Sequence, residues 1–550
     1  MQPRSKIFVK ITAFLAAGLL LSCTSNKSPE KRDASQLHHL VVLHTNDTHG
    51  HPLKFFHDPA PDVGGLPARA TVVKRIREQH RNVLVLDGGD LNTGRSESNL
   101  FKARPDLEGY NYIGYDAMVL GNHEFDNPID VLREQMKLAN FPFVSANVRT
   151  EGGKYLTKPF IIKEFDGLRV AVFGITTKET EIIGNPEYTK GLVFEDEIEV
   201  AKNLVPELQR KADLVIGLVH LGIYDSFSKG SKRLAHEVSG IDLIVDGHSH
   251  TKLDSPIVVT HPLTGHHTPI VQAWKWGLIM GRVDLLVQNK RVIDYRYEAI
   301  PINLKEVEKK PDGTKVDHFV GEEIPEDLKL LALLEPYAAK AEAVLFKVIG
   351  QGEAPFFYDG VRKEENPLGN LVADSMLWYT KYIGADFALQ NGGGIRADLP
   401  EGRLTERMIY EVLPFDSTVV VLTLDGKNVQ SLFEYMATIS SGQGGFPQVS
   451  EGVSITIDMS KKQCTQVMIN GKPLDTSRTY KIATNSYLAA GGDGYRVFLK
   501  AMDAYDSSMF QRDVLIEYIE YLGGRIKPQT FGRIKILGKE GQAELLQEAA

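Results

Sequence analysis

The chain has 550 residues, of which 42% are apolar and 24% charged, with a formal charge of -8 at pH 7. Those proportions belong to folded domains, and the length allows two or more separate cores. The mild acidity is spread along the chain with no block of lysine and arginine, which excludes a polymeric nucleic acid as partner.

The first element is not part of the fold. Arg4, Lys6 and Lys10 make a basic start, and the apolar run from Ile11 to Leu21 is too short to span a bilayer comfortably. It ends in Leu20-Leu21-Ser22-Cys23, which resembles the bacterial lipobox. That resemblance implies a signal peptide over residues 1–22, cleavage before Cys23, and acylation at Cys23 as a lipid anchor to a membrane. An ordinary signal peptide with an incidental cysteine is the alternative. Thr24 follows, not aspartate, and likeness to Gram-negative lipoproteins then implies the outer membrane, facing periplasm or cell surface. The polar residues 23–37 read as a tether. No second long apolar run follows. Cys464 is the only other cysteine and is read as a lone structural thiol.

The body of the first half repeats one design. Leu40 to Leu43 is a short apolar run of strand type, followed by Asp47 and His49. Val83 to Leu86 leads into Asp90, and Ala117 to Leu120 into Asn122, His123 and Asp126. Leu214 to Val219 leads into His220, and Leu243 to Val245 into His248 and His250. Helical patterns lie between, as at Leu66 to Gln79 and Asp130 to Leu138. The alternation predicts an α/β fold, in which side chains just past the carboxyl ends of buried strands converge on one sheet edge. Five such ends supply only Asp, Asn and His as polar donors.

Asp47, His49, Asp90, Asn122, His220, His248 and His250 suit two divalent metal ions of the zinc, manganese, cobalt or magnesium kind. Two such ions against two carboxylates leave a charge of about +2, which matches a phosphate dianion. Asp90 is the choice for a carboxylate shared by both ions. Metals roughly 3.5–4 Å apart can activate a water for in-line attack on phosphorus.

Asp47-x-His49, Gly89-Asp90, Gly121-Asn122-His123-Glu124, His220 and Gly247-His248-x-His250 together resemble the calcineurin-like metallophosphoesterases, with the five blocks in that family's order. The resemblance implies Asp47, His49, Asp90 and His250 on one ion, and Asp90, Asn122, His220 and His248 on the other. It also implies His123 and Asp126 as the catalytic pair, with His123 stabilising the developing oxyanion.

The polar stretch from 302 to about 320 reads as a surface excursion, and Pro325 to Phe346 as a connecting helix, with a helix of the first domain as the alternative. Beyond it, Asn366 to Asn370, Asn391-Gly392-Gly393-Gly394-Ile395-Arg396, Leu413-Pro414-Phe415 and Gly491-Gly492-Asp493-Gly494 resemble the C-terminal domain of 5'-nucleotidases. That likeness implies Phe415 and Tyr487 clasping a nucleobase and Asp493 bonding the ribose or base edge. Arg362, Asn391 and Arg396 would hold ribose hydroxyls or phosphate. Tyr487 stands where phenylalanine is common, so its hydroxyl is expected to bear on base preference.

The expected architecture is a metallophosphoesterase sandwich of mixed sheets flanked by helices (38–324), a connecting helix (325–346), a smaller α/β substrate-binding domain (347–537) and a tail (538–550). The expected activity is release of phosphate from nucleoside 5'-monophosphates outside the cytoplasm, for nucleotide salvage. A UDP-sugar or NAD pyrophosphatase, a 2',3'-cyclic nucleotide phosphodiesterase, and an inactive nucleotide-binding surface lipoprotein stand as alternatives.

Overall fold

Strands that are apolar at every position need cover on both faces, and the first half of the chain supplies it with four layers. The computed structural model describes residues 36–537 apart from 58–59, 185 and 311–314. Cys23, the signal segment and the tail therefore lie outside the described residues.

One six-stranded sheet runs, in spatial order, Arg291–Pro301, Ile279–Gln288, His38–Thr45, Val83–Asp87, Ala117–Val119 and Phe143–Val144. The other runs Ile257–Thr260, His267–Val271, Leu243–Val245, Leu214–His220, Leu168–Thr176 and Phe160–Phe165. Alternate residues part to opposite faces. Leu40, Val42, Leu84 and Leu86 meet Val170, Val172, Ile216 and Leu218 between the sheets. Val41, Leu43, Val83 and Val85 face outward under Leu66, Val73 and Ile76 of the helix Leu66–Gln79 and Leu107 of Arg104–Ile113. On the far side, Ala171, Phe173 and Val215 are covered by Ile198, Ala201, Val205 and Leu208 of Glu197–Lys211. Asp196 caps that helix, accepting from the N–H groups of Ile198 and Glu199.

The central strands of each sheet are parallel. Their carboxyl ends therefore open on one edge, and the polar residues after Thr45, Asp87, Val119 and Val245 arrive together there with His220.

The polar stretch read as a surface excursion folds into an antiparallel hairpin, Lys305–Lys309 against Lys315–Phe319. The helix Leu328–Val344 follows, capped by Asp327. Its Leu330 and Leu334 are buried in the first core, so its first turns are anchored to the sandwich.

The second half centres on a five-stranded mixed sheet ordered Pro447–Val449, Phe387–Asn391, Thr479–Asn485, Thr418–Asp425 and Asp503–Phe510. Phe387, Leu389 and Leu422 pack under Val429, Leu432 and Phe433 of the helix Gly426–Met436. Ala388, Val421 and Ala483 pack on the other face with Met376 of Pro367–Thr380, a helix with Asn366 as cap and proline in its first turn. Cys464 is a free, half-buried thiol on the strand Gln463–Ile469, and burial pushes its pKa up to about 12. A thiol in that state is unreactive.

The two halves meet through ion pairs beside the sheet edge. Arg407 reaches Glu97 at 3.3 Å and Glu342 at 2.9 Å, Arg95 reaches Glu411 at 2.9 Å, and Lys102 reaches Asp416 at 3.0 Å. Among the described residues no helix is long and apolar enough to cross a membrane.

Candidate active site

The loops at the sheet edge hold their residues in unusual backbone. Asp47, His49, Asp90, His248 and His250 all have positive φ, at 49°, 42°, 57°, 77° and 51°. Each such residue costs on the order of 1–3 kcal/mol and persists only where the surroundings fix it. Room is equally tight. A Cβ on Gly121 would stand 2.2 Å from Asp90 Oδ1, so only glycine lets the two loops approach this closely.

The side chains then point donor lone pairs at one another. His220 Nδ1 lies 2.6 Å from the Gly88 carbonyl, which only accepts, so this nitrogen carries the proton. Its Nε2 faces Asp90 Oδ2 at 3.1 Å and Asn122 Oδ1 at 3.2 Å, both acceptors. Asn122 Oδ1 is also 2.8 Å from His248 Nδ1. A second group repeats the pattern. His49 donates from Nδ1 to the Asn92 carbonyl at 2.9 Å, and its Nε2 faces His250 Nε2 at 3.1 Å. Asp47 Oδ1 lies 3.4 Å from the same His250 nitrogen. Asp90 Oδ2 stands between the groups, 4.0 Å from His49 Nε2. All seven residues expected to bind metal are thus brought together.

Acceptors packed against acceptors call for cations, and this donor set fits divalent ions. Burial, followed by His123 and Arg396, holds His49 well below the usual imidazole range. Burial also lowers His250. Both rings are therefore neutral, as ligands must be. Burial opposes charge on His220 too, but the Asp90 carboxylate, Asp47 and the Gly88 carbonyl outweigh it and raise it to about 10. A proton there occupies the place a cation would take.

Three buried carboxylates behind the loops were assigned no role from sequence. Glu124 accepts from the N–H groups of Gly121 at 2.6 Å, Asp90 and Leu91 at 3.0 Å and Asn92 at 3.3 Å, clamping two ligand loops together. Burial and Asp90 push its carboxyl up, to about 7, against the pull of those N–H groups. Asp246 Oδ1 accepts from Leu221, Gly222 and Gly247, joining the loops of His220 and His248. Asp87 accepts from Gly89 N–H and from the hydroxyls of Thr45 and Tyr110. The available signal is their place two or three residues from a ligand: Glu124 after Asn122, Asp87 before Asp90 and Asp246 before His248.

His123 sits beside the ligands, its ring centroid 5.0 Å from that of His49. Its Nδ1 is 2.7 Å from Asp126 Oδ2 and its backbone N–H donates to Asp90 Oδ1 at 2.8 Å. Burial lowers its basicity, but Asp126 and Asp90 raise it further, so the net shift is upward.

From here a cavity of about 750 Å³ runs between the two halves of the chain. Asp90, Asn122, His123, Asp126, His248 and His250 line one side. Arg362, Asn391, Arg396, Phe415, Tyr487 and Asp493 line the other. Phe415 lies nearly parallel to His123, with centroids 6.0 Å apart. Arg396 stands 5.9 Å over the Phe415 ring. Burial and then Arg396 depress Arg362 to about 10, so the two guanidiniums face a space that an anion would relieve.

Comparison with known proteins matches a different family model to each half of the chain. The family model for calcineurin-like phosphoesterases matches residues 40–252, and that for the 5'-nucleotidase C-terminal domain matches residues 348–500. Protein UshA of Yersinia enterocolitica is 36% identical over 508 residues, spanning 88% of this chain and 90% of its own. A 5'-nucleotidase of Vibrio cholerae is 35% identical over 540 residues, spanning 93% and 96%. The chain belongs to the 5'-nucleotidase family. The crystal structure of a 5'-nucleotidase precursor from Thermus thermophilus superposes with a TM-score of 0.80 at 31% identity, covering 91% of this chain and 100% of that one. As a member of the family, the protein is a metal-dependent phosphoester hydrolase with the expected α/β architecture.

Proposed function

We propose that this family member releases phosphate from nucleoside 5'-monophosphates with two divalent metal ions, outside the cytoplasm, in nucleotide salvage. One observation carries the reading. A single cavity has the carboxylate–imidazole cluster on one wall and Phe415, Tyr487 and Asp493 on the other, so one molecule with a phosphate at one end and an aromatic base at the other fits it. The relatives' names supply the substrate class.

When bound, the cations supply Lewis acidity to the phosphoryl group and its attacking water. The protein's residues do the rest. Asp47, His49 and His250 would hold one ion, Asn122, His220 and His248 the other, and Asp90, set between the groups, would serve both. Asp126 accepts the Nδ1–H of His123 and, with Asp90, favours the doubly protonated ring, whose Nε2–H would donate to the charge that builds on a phosphoryl oxygen. Arg362 and Arg396 add positive charge across the cavity. Phe415 and Tyr487 offer ring faces for a base, and Asn391 and Asp493 hydrogen-bonding groups for a sugar.

The test is phosphate release from AMP, UMP, ATP, UDP-glucose, NAD and cyclic nucleotides, before and after EDTA, with zinc, manganese, cobalt or magnesium restored. Monophosphates should be turned over fastest, EDTA should abolish release, and elemental analysis should find two ions per chain. Preference for a pyrophosphate or cyclic substrate, or release that ignores chelator, would defeat the reading. The proposed anchor predicts that acyl label is incorporated by the native chain and lost in Cys23→Ser; label retained by that variant would refute it.

A further inference from the structure

Asp493 is held by every polar atom it owns. Its backbone N–H donates to Tyr487 Oη at 2.9 Å, and its carbonyl accepts from Tyr435 Oη at 2.6 Å. Its Oδ1 accepts from Tyr487 Oη at 3.0 Å, and its Oδ2 from Asn391 Nδ2 at 2.8 Å. Asp493 itself has φ of 50°, left-handed backbone that a side chain rarely adopts. The neighbouring glycines make the tyrosine contacts possible. A Cβ on Gly492 would fall 2.4 Å from the Tyr487 ring, and one on Gly494 would fall 2.2 Å from Tyr435 Oη.

A tyrosine hydroxyl has one proton, and Tyr487 gives its proton to Oδ1 of Asp493 while accepting the N–H of the same residue. The hydroxyl is therefore engaged with Asp493, a role apart from the expected bearing on base preference. The ring remains against the cavity; the oxygen is engaged with the neighbouring carboxylate.

We infer that Tyr487 and Tyr435 are positioning residues, whose hydroxyls hold in place the Asp493 carboxylate that the family resemblance assigns to the sugar, so that preference for a sugar with both hydroxyls depends on them. The inference rests on the nucleotide reading above. An ionised carboxylate only accepts hydrogen bonds, and each of its oxygens has further lone pairs beyond the one already engaged. Its complement is a pair of donors held at fixed spacing, which a diol provides and a phosphate does not. Fixing the carboxylate beforehand spares the ordering that binding would otherwise require. Phenylalanine at 487 would keep the ring but release both the N–H and Oδ1 of Asp493, and phenylalanine at 435 would release its carbonyl.

The experiment compares Tyr487→Phe and Tyr435→Phe with the native full-length chain, on a ribonucleoside 5'-monophosphate and on its 2',3'-dideoxy counterpart. The native enzyme should favour the ribonucleotide in kcat/KM. In each variant that preference should fall about tenfold, the scale of one hydrogen bond to a charged group, with the change in KM rather than kcat. A uniform loss on both substrates would show that the hydroxyls only support the fold, and an unaltered preference would show that they do nothing for the sugar; either overturns the inference. Should the native enzyme cleave a small aryl phosphate but neither nucleotide, the nucleotide reading itself falls, and the inference with it.

Discussion

At the sheet edge, five residues with left-handed backbone present carboxylate and imidazole, and buried Glu124 and Asp246 tie their loops together through backbone N–H groups. At the facing wall the groups include aromatic faces, Arg362, Arg396 and the Asp493 carboxylate, and tyrosine hydroxyls hold Asp493 in place. The first wall needs ligand atoms within a few tenths of an ångström, so its residue types are dictated by the chemistry of the ion. The second wall needs shape and hydrogen-bond complementarity, which many residue types can supply. Loss at the first wall should therefore affect every phosphoester alike, and loss at the second should depend on the substrate.

The largest effect is expected from Asp90→Asn. With the shared carboxylate weakened, turnover of nucleotide and aryl phosphate alike should drop about 10³-fold or more, and elemental analysis should show lost metal. Full metal content and an intact rate would remove Asp90 from the shared position. His123→Ala should slow both substrates by about 10²–10³-fold while retaining its ions, since the ring meets the ligands only at its edge. Loss of the ions along with the rate would make His123 a ligand.

Phe415→Ala separates the walls. Removing one stacking face should lower kcat/KM for a nucleotide by about ten- to a hundredfold, with far less effect on a small aryl phosphate. Equal losses on both would mean that Phe415 serves the chemistry through His123, which it faces at 6.0 Å.

The smallest effect concerns the support behind the metal wall. Asp106 accepts the Ser98 hydroxyl at 2.6 Å, and burial pushes its carboxyl up from 3.8 to about 7. A raised carboxyl contributes stability that is complete below its ordinary value and is lost as pH rises through about 7. Asp106→Asn, which cannot ionise, should therefore gain little at pH 4 and about 1–3 kcal/mol at pH 8. Thermal melts at the two pH values check this; a gain that does not grow with pH would refute the burial argument.

Much of the first half was legible because its signals are local. The helix Leu66–Gln79 falls on its predicted bounds, and Ile129–Leu138 begins one residue before the apolar periodicity suggested. Each metal-wall residue follows closely on one of five apolar runs, so position along the chain nearly gives position at the edge. The hairpin Lys305–Lys309 with Lys315–Phe319 is not legible from the sequence, because its short strands are mostly charged and carry too few apolar residues to show the alternation that marks a strand with one buried face. The bracing carboxylates were missed for a different reason. Glu124 acts on N–H groups more than thirty residues away as well as on nearby Gly121, and no spacing rule connects them. Tyr435 lies far along the chain from Asp493, so their hydrogen bond left no local trace.

Strand ends that supply only Asp, Asn and His already fix an α/β scaffold around cations, since those residue types in those places serve nothing else as well. What folding alone decided is which oxygen faces which nitrogen, how the two halves enclose one cavity, and where the Tyr487 hydroxyl turns. Those facts depend on distances between atoms far apart in the chain, and such distances are set by packing two cores against each other.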